Sequence, residues 1–192
     1  MSDGMDTSTY CAVSAGRRGE PSIFRKSDAG RLEIGQHALA RMLAFVQSTP
    51  RKTEAGGVLL GRYLLESTDI VIDGITIPMP GDCRSRSSFY RDHRRHQQAI
   101  DRAWRESGGT CAYLGEWHTH PERRPLPSGT DRREWRRKLR EDVFDGDRLY
   151  FIVVGIESLR VWEGIRSSLE CRLIGEYLHA QGDGHVEDED SA

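Results

Sequence analysis

Apolar positions change their spacing several times along the chain, and each change marks an element. In "IGQHALARMLAFVQS", Leu39, Met42, Leu43 and Val46 recur at helical spacing. That predicts an amphipathic helix closed at or just before Pro50. "GGVLLGRYLL" and "DIVIDGITIP" read as two strands joined by a turn around Ser67 to Asp69. "SRSSFYR" reads as a further short strand. "DHRRHQQAIDRAWRES" predicts a second helix with His96, Ile100, Ala103 and Trp104 on one side, ended by Gly108 and Gly109. Trp104 is expected to anchor that helix. "TCAYLGEWHTH" has the composition of a strand, and "TDRREWRRKLRED" predicts a third helix with Trp135 and Leu139 four apart. "RLYFIVVG" is apolar throughout, as a central strand covered on both faces is. "SLRVWEG" alternates as its hairpin partner, and "CRLIGEYLH" ends the ordered part. No internal repeat is present. The expected fold class is α/β, a mixed β-sheet with three helices packed against it.

The chain has 192 residues, which suits one domain with a sizeable core. The expected organisation is a flexible N-terminal tail over 1–20, rich in Ser, Gly and Arg, one domain over 21–180, and an acidic C-terminal tail over 181–192. The net charge of −2 conceals a basic block over residues 121–140. There Arg132, Arg136 and Arg140 form a helical stripe beside Arg133 and Arg137. The stripe is either a solvated face or a surface for an acidic partner. No aromatic stacking platform accompanies it, so a protein partner ranks above nucleic acid. Cys11, Cys83, Cys111 and Cys171 form no CxxC pair, which excludes a cysteine zinc site. With neither a signal-peptide pattern nor an apolar run of spanning length, the expected location is the cytoplasm, with no membrane partner.

The chemistry concentrates in "YLGEWHTHPERRPLPSGTD", Tyr113 to Asp131. On a strand, residues i and i+2 share a face, so His118 and His120 project side by side, as a shared metal ion requires. Pro121 ends the strand, and the chain returns at Asp131, at the head of the basic helix. Two imidazoles and a carboxylate are the protein ligands of a catalytic zinc site with one open position. Ser128 and Asp131 also form S-x-x-D, a helix-capping pattern, and the two roles are compatible. Glu116 shares the strand face of His118 and is either structural or an acceptor that orients a ligand histidine. His37, His93, His96, His179 and His185 have no such spacing and are not assigned to metal. Trp117 points opposite to His118, into the core.

The full spacing, His118-x-His120-x(7)-Ser128-x-x-Asp131, closely resembles the signature of the JAMM/MPN+ metalloproteases, or JAB domains. Their upstream glutamate has a counterpart in Glu54, within "TEAGGVLLG". The resemblance extends over about residues 30–165. It implies a cytidine-deaminase-like JAB/MPN fold, a Zn²⁺ ion on His118, His120 and Asp131, and peptide or isopeptide hydrolysis. It implies Glu54 as the general base outside the metal shell and Ser128 as hydrogen-bond donor to the oxyanion. The wording around the site is similar to the JAB deconjugases of bacterial cyclic-oligonucleotide antiphage (CBASS) operons. That similarity implies a bacterial protein whose substrate is a conjugate of a nucleotidyltransferase (CD-NTase), cut after the CD-NTase C-terminal residue. It also implies a fused ubiquitin-activating and conjugating-like enzyme in the same operon. An extended tail is expected to pair with free backbone groups of the ligand strand. The alternatives are a JAB peptidase for another ubiquitin-like or sulfur-carrier protein, a RadC-like protein, and a non-enzymatic MPN scaffold. The scaffold lacks support because every ligand position is filled. Deaminase chemistry lacks it because no P-C-x-x-C follows the histidines.

Overall fold

A computed structural model describes residues 13–15 and 22–179. Among these, nine strands form one mixed sheet, and two more form a separate small ribbon. In chain order the elements are β1 (Val13–Ala15), β2 (Ser22–Arg25), β3 (Arg31–Ile34), α1 (Gln36–Leu43), β4 (Gly56–Tyr63) and β5 (Ile70–Ile75). There follow β6 (Cys83–Arg84), β7 (Phe89–Tyr90), α2 (His93–Glu106), β8 (Ala112–Thr119), α3 (Gly129–Glu141), β9 (Arg148–Val154), β10 (Ser158–Ile165) and β11 (Glu170–Leu178). The large sheet runs β1-β11-β10-β9-β8-β4-β5-β3-β2, and β6 pairs with β7 alone.

β9 explains the two-sided architecture. Leu149 to Val154 are all buried, and their alternation divides them between two apolar clusters. Tyr150, Ile152 and Val154 join the cluster under α1, with Leu39, Met42 and Trp117. Leu149, Phe151 and Val153 join the cluster under α3, with Trp135, Leu139 and Trp162. Trp135 stacks on Phe151, ring centroids 4.6 Å apart and planes within 9°. Such a contact adds about 0.5–1.5 kcal/mol to simple burial. It seats α3, and with it Asp131, on the sheet.

β8 lies between β4, antiparallel, and β9, parallel. Its alternation is broken once, where the pairing with β4 slips between Leu59 and Leu60. Opposite the slip stands Gly115 at φ 135, where a Cβ would lie 1.9 Å from the Tyr150 carbonyl oxygen. This bulge puts Leu114, Trp117 and Thr119 on the core face, all buried, and turns Glu116 and His118 to the opposite face.

Several expectations are corrected. Within the stretch assigned to the N-terminal tail, Val13–Ala15 pairs with β11 in parallel. The remainder of that tail and all of residues 181–192 lie outside the described residues. The first helix stops at Leu43, before Val46 and Pro50, because Ala44 to Val46 turn back with short-range hydrogen bonds to Ala40, Met42 and Leu43. The short strand expected in "SRSSFYR" is β7, and it pairs with β6, which lies just before that stretch. Trp104 is 54% exposed and anchors nothing. The buried residue of α2 is His96, held by Thr76 Oγ1 at 2.7 Å and Asp82 Oδ2 at 3.2 Å. β8 has no free edge, so it cannot accept an added peptide strand.

Candidate metal centre

The site is built where β4, β8 and α3 meet. Thr119 N donates to Ala55 O at 2.8 Å and His120 N to Val154 O at 2.9 Å, so β4 and β9 hold the end of β8 from both sides. With Thr119 buried beneath, the imidazoles of His118 and His120 emerge together, their Nε2 atoms 3.1 Å apart. Asp131 comes from the first turn of α3. Ser128 Oγ accepts from Asp131 N at 3.1 Å, and Ser128 N donates to Asp131 Oδ2 at 2.6 Å. This reciprocal capping box fixes the carboxylate rotamer. Asp131 then presents Oδ1 to His118 Nε2 at 3.4 Å and Oδ2 to His120 Nε2 at 3.5 Å. Glu54, immediately before β4, reaches to 3.7 Å of His120 Nε2.

This donor set fits a tetrahedral ion. Zinc–nitrogen bonds of 2.0–2.1 Å place neighbouring ligand atoms about 3.3 Å apart. The two imidazole Nε2 atoms are 3.1 Å apart, and the Asp131 carboxylate faces both, Oδ1 at 3.4 Å from His118 Nε2 and Oδ2 at 3.5 Å from His120 Nε2. Glu54 is also close enough to be counted, since its donor atom and those of both histidines lie within 4.8 Å of one another.

The electrostatics separate the two carboxylates. Burial pushes Glu54 up to about 7, against the charge of His118 and with that of Asp131. Burial acts the same way on Asp131, but the hydrogen bonds from His118 and Ser128 and the His118 charge outweigh it and hold it well below the usual range. Burial lowers both histidines. In His118 the Asp131 hydrogen bond and charge reverse the effect, whereas in His120 the neighbouring His118 charge adds to it. Two ring nitrogens facing each other thus compete for one positive charge.

All five residues expected at the site, Glu54, His118, His120, Ser128 and Asp131, line one cavity of about 550 Å³. Glu116 lines it too, but its carboxylate is ion-paired with Arg91 and with Lys138 Nζ at 2.9 Å. Burial would raise its pKa, and the two cations reverse that. It is a structural anion rather than a base. His93 also faces the cavity. Arg91 and Lys138 escape sequence reading because one lies in a loop and the other inside a run of arginines.

The sequence pattern of prokaryotic homologs of the JAB domain matches residues 35–164. The chain belongs to that family. This JAB domain is 36% identical over 133 residues to a CD-NTase/cGAS isopeptidase of Vibrio cholerae serotype O1, covering 69% of this chain and 81% of that protein. It is 41% identical over 106 residues to a CD-NTase/cGAS isopeptidase of Pseudomonas aeruginosa, covering 55% of this chain and 66% of the relative. The solution structure of protein DSY2949 from Desulfitobacterium hafniense shares the fold of the JAB domain, with a TM-score of 0.54 at 19% identity, covering 79% of this chain and 95% of that one. Among the described residues no helix is long and apolar enough to cross a membrane.

Proposed function

We propose that the protein is a zinc-dependent isopeptidase that cuts after the C-terminal residue of a conjugated protein, a CD-NTase of a bacterial antiphage system. The observation that carries the reading is the convergence of His118, His120 and Asp131, whose facing atoms lie 3.1, 3.4 and 3.5 Å apart, with Glu54 beside them. The similarity to two CD-NTase/cGAS isopeptidases supplies the substrate class. His118, His120 and Asp131 would hold the ion, and Glu54 would stay outside its shell. Bound zinc supplies Lewis acidity, which favours deprotonation of water and polarises a carbonyl. Glu54 takes the water proton at its carboxylate and returns it to the leaving nitrogen. The return is required because a lysine amine, with a pKa of roughly 10.4, leaves protonated. Ser128 Oγ lies at the cavity wall beside Asp131, and its O–H donates to the carbonyl oxygen as charge develops there.

The tail that reaches the site is extended, and β8 offers it no edge. The β6–β7 ribbon does, since it has two strands only and Phe89, Tyr90 and the Ser87–Ser88 turn line the cavity. A main-chain pairing there positions the scissile bond without reading much sequence. The partner enzyme implied by the operon resemblance, a fused ubiquitin-activating and conjugating-like protein, would supply the conjugates.

The experiment is cleavage of purified CD-NTase C-terminal fusions with and without chelator, together with elemental analysis. The expected result is cleavage that chelator abolishes and zinc restores, with about one zinc per chain. Replacing both His118 and His120 by Ala should remove the metal. Full zinc occupancy in that double variant rejects the site, and chelator-resistant cleavage rejects the mechanism.

A further inference from the structure

The cavity is larger than a metal centre needs, and its far end carries a different charge. Asp131, Trp135 and Lys138 all line it, one above another on α3. Lys138 lies seven positions beyond Asp131 on the helix, a rise of roughly 10 Å. On β8, Glu116 lies one same-face step from His118, roughly 6.7 Å along the strand. The far end therefore begins about two to three extended peptide residues from the metal ligands.

The charges there do not cancel. Arg137 is matched by Glu134 at 2.9 Å. Arg91 and Lys138 both converge on the same oxygen, Glu116 Oε1, which leaves one positive charge in excess. Both cations are largely enclosed, with side chains 13% and 8% exposed. An ammonium has three donors, and the ion pair with Glu116 occupies one. The same excess is felt by His93, which burial and then the charges of Arg91 and Lys138 push down. Enclosed cations with unused donors beside an open cavity are suited to a carboxylate from outside.

We propose that this far end is a specificity subsite in which Arg91 and Lys138 receive an acidic side chain of the substrate tail, two or three residues before the cut. The assignment rests on the isopeptidase reading above. It places the acid on the acyl side, because there the tail is main chain from the scissile carbonyl onward, whereas the leaving side of an isopeptide begins with a four-carbon lysine stem that carries no acid. Glu116 has a distinct part: it holds the two cations together against their mutual repulsion and leaves them one charge short of neutrality.

The test scans Glu, Gln and Lys through the second and third residues before the cut in C-terminal fusions. The expected result is a preference for Glu over Gln of about tenfold in kcat/KM at one of these positions, the scale of a charge-assisted hydrogen bond, with Lys poorest. Binding of the Glu and Gln tails to the Glu54→Gln protein, measured by calorimetry, should differ in the same sense. In Lys138→Met the Glu-to-Gln ratio should fall to about one, since the remaining Arg91–Glu116 pair is neutral. If Lys138→Met does not fold, Arg91→Gln is the second variant, and the wild-type scan decides independently of either. Indifference of the wild-type enzyme to the acid at both positions, or a ratio that survives both substitutions, overturns the subsite. Fusions that are cut with no acid preference remove the subsite alone. Fusions that are not cut at all remove the isopeptidase reading and the subsite together.

Discussion

At the scale of single residues, two carboxylates beside the imidazoles are set apart by what else they touch. Asp131 is held by the Ser128 cap and by His118 and remains an anion. Glu54 is enclosed, 5% exposed, without such support, and its affinity for a proton rises. Glu54→Gln should lower turnover by at least the roughly 10²–10⁴-fold of lost acid–base help while zinc content stays near that of the wild type. Loss of zinc along with activity would make Glu54 a ligand instead. Ser128→Ala should lower kcat more than it raises KM, because a hydroxyl aimed at developing charge acts in the transition state. It should also cost about 1 kcal/mol of stability through the lost cap. A stability loss with unchanged kcat leaves the cap as its sole role. That His118, His120 and Asp131 come together was legible in the sequence because i, i+2 spacing on a strand and S-x-x-D at a helix start dictate geometry locally. Glu54 was not legible in that way. Its place depends on the pairing of β4 with β8, which no local spacing encodes, and it was reached through family resemblance alone.

At the scale of elements, the junction that brings Glu54 to the histidines is a buried polar network. Gln47, 1% exposed, donates to Lys52 O at 3.3 Å and Arg86 O at 2.9 Å, and accepts from Thr119 Oγ1 at 3.0 Å. Thr119 Oγ1 in turn accepts from Ala55 N at 3.0 Å. Arg84 Nε donates to Glu54 O, and Glu54 N to Ser85 O, so the ribbon grips Glu54 by its main chain. Thr119→Val keeps the shape and removes the hydroxyl, stranding Gln47 Oε1 and Ala55 N. It should cost about 1–3 kcal/mol of stability. It should also reduce kcat in metal-loaded enzyme, and Thr119→Ser should restore both. Wild-type kcat in Thr119→Val would separate this network from catalysis. No periodicity announces such a network, since Gln47 and Thr119 read as ordinary polar residues. β2 and β3 were missed for a related reason. "SIFR" and "RLEI" are four residues each, too short to show a period, although each alternates buried and less buried positions in the fold. Trp104 misled because α2 is held by the polar contacts of His96 rather than by its apolar side.

At the scale of the whole molecule, α3 presents two unlike surfaces. Trp135, Lys138 and Leu139 are buried, whereas Arg132, Arg133, Arg136 and Arg140 remain exposed. If these arginines dock the folded body of the substrate, Arg132→Glu with Arg136→Glu should raise KM for a protein fusion severalfold. Cleavage of a short tail peptide should change little, and added salt should weaken the fusion reaction. Equal losses on both substrates would place the arginines in the active site or the fold. The mixed α/β architecture and the helices were legible because long periodic segments specify them, while strand order was not, since it is settled by contacts between distant segments. That order has a consequence for synthesis. A chain emerging from the ribosome completes "HTH" well before it completes β9, the strand whose Val154 carbonyl fixes the main chain of His120. Domains fold as units as translation proceeds. Until residue 154 has cleared the exit tunnel, β8 lacks one of its two flanking strands, and in the nascent chain the main chain of His120 is still without its Val154 partner.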